Sequence, residues 1–131
     1  MITSRRKTGN LGEDIALKFL QGKGFRLIDR NFNKPWGEID IILEKDDTVR
    51  FIEVKSVSRE INGNDTREID YRPEELIDRR KLKKLARTAA LYMESRRDTR
   101  EYQIDAIGVI LDKKKRVARC RFFEQALEDN L

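Results

Sequence analysis

Histidine is absent from this 131-residue chain, and cysteine occurs once, at Cys120. Without histidine there is no Ser–His–Asp triad, no His general base and no His-built zinc site. Any resident metal must sit on carboxylates and carbonyls, which favours hard ions such as Mg²⁺ or Mn²⁺. A lone cysteine forms no internal disulfide, as expected of a reducing compartment. No stretch approaches the ~20 consecutive apolar residues of a membrane span. The opening MITSRRKTGN carries no apolar signal region. A soluble, cytoplasmic protein of one domain spanning 1–131 is the expectation.

Charge is abundant. Lys and Arg number 29 against 24 Asp and Glu, a net +5, and the excess is clustered. Asp78–Arg100 holds nine basic residues and three acidic ones, and Lys113–Arg121 holds six basic and none acidic. Such clusters suit an anionic partner, nucleic acid being the commonest, or simply a solvated surface.

Along the chain, residues 1–9 read as a frayed basic end. A helix is expected to start near Asn10, with Leu11, Ile15, Ala16, Phe19 and Leu20 as its apolar face and Gly22 and Gly24 at its end. Phe25–Phe32 is a strand, and Asn33-Lys34-Pro35-Trp36-Gly37 a turn. Glu38–Lys45 and Thr48–Val57 form a hairpin around Asp46-Asp47. Residues 58–75 show no period and read as a long loop. A second helix over about 74–97 buries Leu82, Leu85, Ala86, Ala89 and Met93; two strands (Gln103–Leu111 and Arg116–Phe123) and a short C-terminal helix follow. The order α-β-β-β-α-β-β makes this an α/β protein, a mixed sheet flanked by helices. Cys120 lies among apolar strand neighbours and reads as buried.

The hairpin carries the chemistry. A two-residue turn at Asp46-Asp47 pairs Lys45 with Thr48, and counting outward sets Asp40 opposite Glu53 and Glu38 opposite Lys55. Opposed residues share a face with Cβ atoms about 4.5–5.5 Å apart. A one-residue slip would send Asp40 and Glu53 to opposite faces. Two carboxylates so close repel unless a cation intervenes. A divalent ion bound by Asp40 and Glu53, with the Val54 carbonyl as a further ligand and Lys55 beside it, suits phosphodiester hydrolysis. The plainer reading is an ordinary sheet face with a Glu38–Lys55 ion pair.

Glu53-Val54-Lys55 after Asp40 resembles the PD-(D/E)xK nuclease motif. The chain more closely resembles the bacterial YraN-type family of uncharacterised, endonuclease-like proteins. The matching pieces are Gly12-Glu13 with Ala16, Arg30-Asn31-Phe32, Gly37-Glu38-Ile39-Asp40, Phe51-Ile52-Glu53-Val54-Lys55, Ala90-Leu91-Tyr92 and Ile104-Asp105. The resemblance implies a restriction-endonuclease-like fold, similar to archaeal Holliday-junction resolvases. It implies Asp40 and Glu53 as metal carboxylates, Lys55 as catalytic lysine and Glu13 as an extra acid. Glu13 also has a local reading, as N3 of a capping box on Asn10. After the motif this chain has Lys55-Ser56-Val57 where the family usually has Lys-Thr-Arg.

On the second helix Arg79, Arg80, Lys81, Lys83, Lys84 and Arg87 form a phosphate-tracking surface or a solvated face. Trp36 stacks on a base or sits at the rim of the core, and Tyr71 has a similar, weaker case. The leading expectation is a Mg²⁺- or Mn²⁺-dependent nuclease on DNA, branched or damaged forms included. The alternatives are a nucleic-acid-binding accessory protein with little cleavage of its own and a module whose basic helix meets an acidic protein. Analogy with resolvases adds a homodimer, with loop 58–75 as a candidate contact.

Overall fold

The computed structural model describes residues 4–61 and 76–128. The order among them is α1 (Ser4–Gly22), β1 (Arg26–Lys34), β2 (Gly37–Lys45), β3 (Thr48–Ser58), α2 (Arg79–Ser95), β4 (Tyr102–Asp112) and β5 (Val117–Phe123). The strands make one five-stranded sheet in the order β1-β2-β3-β4-β5. All neighbours are antiparallel except β3 and β4, which are parallel. A parallel pair needs a long crossover, and the chain that returns from β3 to β4 carries α2. The expected α/β order is therefore observed.

Each helix covers one face of the sheet. Ala16 and Leu20 of α1 pack with Ile41, Leu43, Ile52, Ile107 and Val109. Leu82, Leu85, Ala89, Tyr92 and Met93 of α2 pack with Ile42, Val49, Phe51 and Ile104. With both faces covered, β4 reads as a nearly continuous apolar run, as a doubly buried strand should. No helix among the described residues is long and apolar enough to cross a membrane.

Four expectations need correction. α1 begins at least as early as Ser4 rather than near Asn10, so Glu13 lies mid-helix and the capping-box reading falls. Its apolar face is also shifted, with Gly12 buried and Leu11 43% exposed. Gly12 costs about 1 kcal/mol of helix propensity against alanine, but a Cβ there would lie 1.7 Å from Ser56 Oγ. The bare backbone lets α1 settle on β3, and that packing outweighs propensity. α2 starts at Arg79 rather than about 74, because Asp78 caps it, accepting from the N–H groups of Arg80 (3.0 Å) and Lys81 (3.3 Å). Residues 124–127 form a turn instead of a helix. There the Gln125 N–H donates to Asp105 Oδ1 (2.8 Å) and the Ala126 N–H to the Ile104 carbonyl (2.8 Å), so both are tied to β4. Tyr71, Pro73 and residues 62–75 of the expected loop lie outside the described residues.

Gly37 clamps the β1–β2 hairpin to α2. A Cβ there would stand 2.0 Å from Thr88 Oγ1 and 2.8 Å from Thr88 Cγ2, and Thr88 is itself held by donating to the Lys84 carbonyl (3.0 Å). Gly37→Ala should cost about 1–3 kcal/mol by overpacking. Thr88→Ala in the same chain should recover part of it, because two of the three nearest atoms leave. A urea-denaturation double-mutant cycle reads this directly, and additive losses would contradict the clamp.

Candidate active site

Next to its turn the β2–β3 hairpin has the register expected for it, but the expected pairs Asp40 opposite Glu53 and Glu38 opposite Lys55 are not part of the ladder. Asp46 and Asp47 both take left-handed φ (53° and 61°), the conformation of the tightest two-residue hairpin turn. Pairing then runs from Lys45↔Thr48 to Ile41↔Ile52. Hydrogen-bonded and non-hydrogen-bonded pairs alternate along such a ladder. Continued regularly, it would give the Val54 N–H to the Ile39 carbonyl. Instead the ladder stops after Ile41↔Ile52 and the Val54 N–H donates to Asp40 Oδ2 at 2.9 Å. The side-chain alternation breaks at the same point: Ile39 and Ile42 both join the α2-side cluster, while Ile41 joins the α1-side one. The sheet opens at Asp40, and a carboxylate takes the place of a backbone partner.

A cleft of about 980 Å³ lies over this opening, and its lining includes Glu13, Glu38, Asp40, Glu53, Val54 and Lys55. Asp40 and Glu53 are partly buried, whereas Glu38 and Lys55 are exposed. Burial raises the pKa of Glu53 to about 7, helped by the Asp40 charge and opposed by Lys81. Burial also raises Asp40, against the stabilising Val54 N–H. Glu13 is raised by burial and by the Asp40 charge, against the nearby Arg30. Three acids thus reach one cleft from α1, β2 and β3, each disfavoured as an anion chiefly by burial.

Cations approach from separate elements. Arg30 on β1 pairs with Asp14 (2.6 Å) and Glu13 (3.6 Å), fixing the middle of α1 against the sheet. Of the basic residues expected on α2, Lys81, Lys84 and Arg87 line the cleft, while Arg79, Arg80 and Lys83 do not. Lys34, from the end of β1, lines it too. Sequence reasoning missed Arg30 and Lys34 as site residues, and missed Lys81 as the cation felt by both Asp40 and Glu53. Helical spacing of 81, 84 and 88 was the available signal for the α2 face. Ser56 Oγ is buried without a hydrogen-bond partner and lines the same cleft. Cys120 is half-buried, and burial pushes its thiol up to about 11, which disfavours the thiolate at neutral pH.

Among the described residues no three His, Cys, Asp or Glu side chains stand already gathered at metal-ligand spacing. Mg²⁺ does not require three: it takes one or two carboxylates and completes its shell with waters and phosphate oxygens. Two partly buried, mutually repelling carboxylates beside an interrupted ladder suit that ion.

Comparison with known proteins agrees with the extent of the likeness read from the sequence. A UPF0102 protein of Campylobacter jejuni is 41% identical over 101 residues, covering 77% of this chain and 81% of its own. One of Moorella thermoacetica is 37% identical over 119 residues (90% and 92%), and one of Fervidobacterium nodosum 35% over 105 (80% and 72%). The family model matches residues 12–109, which run from Gly12 through all the acids of the cleft into β4, and the chain belongs to the uncharacterised protein family UPF0102.

Proposed function

We propose that this protein is a metal-dependent nuclease of the PD-(D/E)xK, restriction-endonuclease-like class, hydrolysing phosphodiester bonds in DNA. One observation carries the reading: the β2–β3 ladder is interrupted at Asp40, beside Glu53 and within a cleft that Lys55 also lines. A bound Mg²⁺ or Mn²⁺ would be held by Asp40, Glu53 and the Val54 carbonyl, and would supply Lewis acidity and an activated water. In a strand the N–H and C=O of one residue point to the same side. The Val54 carbonyl therefore looks toward the gap that its N–H already bridges.

The remaining groups have separate tasks. Lys55, exposed at the cleft, orients the attacking water or neutralises charge developing on the phosphate. Glu13, paired with Arg30, adds a third acid to the cleft beside Asp40. Lys34, Lys81, Lys84 and Arg87 hold flanking phosphates, giving affinity and position but no base readout.

The test is an assay with Mg²⁺ or Mn²⁺ on branched, single-stranded and duplex DNA and on RNA, with Asp40→Asn and Lys55→Ala as controls. Asparagine keeps an oxygen for the Val54 N–H and removes only the charge. Metal-dependent cutting lost in both variants is the expected result. Binding without cutting, unchanged in either variant, would favour the accessory-protein reading instead.

A further inference from the structure

Pro35-Trp36 is the two-residue turn between β1 and β2, closed by Lys34↔Gly37. Neither residue takes a positive φ, and a turn of negative φ accepts most residue types after its proline, so the turn itself gives no reason for an indole. Trp36 is 46% exposed and lines the acidic cleft. Its ring is nevertheless firmly held. It leans on Phe32 (5.7 Å, 57°), Phe32 meets Tyr92 edge-on (5.1 Å), and Tyr92 meets Phe51 in the core (5.6 Å). Pro35 fixes its own φ, and Gly37 packs the turn against Thr88. The indole is thus a rigid aromatic surface whose ordering cost is largely met by folding.

Its neighbours specify what it meets. Lys34, Lys81, Lys84 and Arg87 line the same cleft as exposed cations, with Asp40 and Glu53 partly buried in it. A polyanion running along those cations, with one phosphate at the acids, brings a neighbouring base to Trp36. In a continuous duplex that base is already stacked and paired, so its face is closed to the indole. Only an unpaired nucleotide can offer it.

We infer that Trp36 stacks an unpaired nucleobase next to the phosphate held at Asp40 and Glu53, making interrupted pairing (a single strand, flap or junction arm) the substrate feature this protein selects. The inference rests on the nucleic-acid reading above and specifies its substrate.

Trp36 is the single tryptophan of the chain, so fluorescence excited selectively at tryptophan, away from the tyrosine absorption, reports on this position alone. Full-length protein with Ca²⁺ in place of Mg²⁺, to keep a cation between the carboxylates and the phosphate, would be titrated with an oligo(dT) strand, an abasic strand of equal length and a blunt duplex, with binding followed separately by the anisotropy of end-labelled probes. The single strand should quench Trp36 emission, and the abasic strand should bind without quenching. Trp36→Ala should weaken single-strand binding about 5- to 150-fold, with Trp36→Phe restoring most of it. A saturating single strand that leaves emission unchanged, an unaltered affinity in Trp36→Ala, or no binding of any probe would overturn the inference. Parallel Mg²⁺ cleavage assays separate the two proposals. Quenching without cleavage would sink the nuclease reading alone, and cleavage without quenching would sink the stacking reading alone.

Discussion

Glu53→Gln should stabilise the metal-free protein at pH 8 by about 2–3 kcal/mol while lowering metal-dependent cleavage by roughly 10²-fold or more. The stability gain follows from burial. The folded-state pKa of Glu53 is near 7, against an ordinary value of 4.5. Between those values the folded chain holds a proton that the unfolded chain has released, so stability falls as pH rises through the window. The penalty is absent below about pH 4.5 and complete above about pH 7. Glutamine keeps the shape and removes the charge, so its advantage should reach roughly 6–12 °C in melting temperature at pH 8 and vanish near pH 4.5. An equal advantage at both pH values would mean that packing, and not ionisation, is responsible.

If the proposed metal binds at Asp40 and Glu53, the same titration should govern its loading. A carboxylate must lose its proton to become a ligand. Apparent Mg²⁺ affinity should therefore rise up to about tenfold per pH unit toward pH 7 and level off above it, and the glutamine variant should lack this slope. Saturating Mg²⁺ should raise the melting temperature of the natural protein at pH 8 and leave that of Glu53→Gln largely unchanged. Loss of cleavage with a gain in stability marks a residue kept for chemistry against the interest of the fold.

How much of this was legible beforehand depended on whether the determining contacts were local. The hairpin register followed from two adjacent aspartates, since Asp and Asn tolerate the left-handed backbone that tight hairpins need, and the count from them put Asp40 beside Glu53. The opening of the ladder at Asp40 was not legible. It depends on a side chain replacing a backbone acceptor, which leaves no trace in hydrophobic alternation. The start of α1 was misjudged because Gly9, Asn10 and Gly12 look like a boundary in isolation. The close approach of α1 to Ser56 explains Gly12, whereas a Cβ at Gly9 would meet nothing within 4 Å. Arg30, Lys34 and Lys81 come from β1 and α2, and their convergence on the acids is a property of the sheet order. On α2, Tyr92 was overlooked as core, although it links Phe32 to Phe51.

Asp105→Ala should be among the most damaging single changes to stability, at about 3–5 kcal/mol. In the sequence this residue belongs to a motif piece and invites a functional reading, and the structure gives it a different task. Asp105 is fully buried on β4 and does not line the acidic cleft. Its Oδ1 accepts from Gln103 Nε2 (2.9 Å) and the Gln125 N–H (2.8 Å), and its Oδ2 faces Arg50 Nη1 (3.4 Å). Burial raises its pKa even against these three donors. Removing the carboxylate strands two donors and leaves Arg50 with its exposed partner Glu124 (2.9 Å). It also frees the turn that seats the fully buried Ala126 beside β4. Asp105→Asn should cost less, roughly 1–2 kcal/mol: its oxygen still serves Gln103 and Gln125, and only its amide opposes Arg50. Adding Arg50→Met to that variant should recover part of the loss, since replacing both members of a buried pair is often close to neutral. Chemical denaturation of the three variants orders these costs. If alanine and asparagine were equally harmful, the acceptor role of Oδ1 would be wrong, and the damage would have to lie in the lost charge alone.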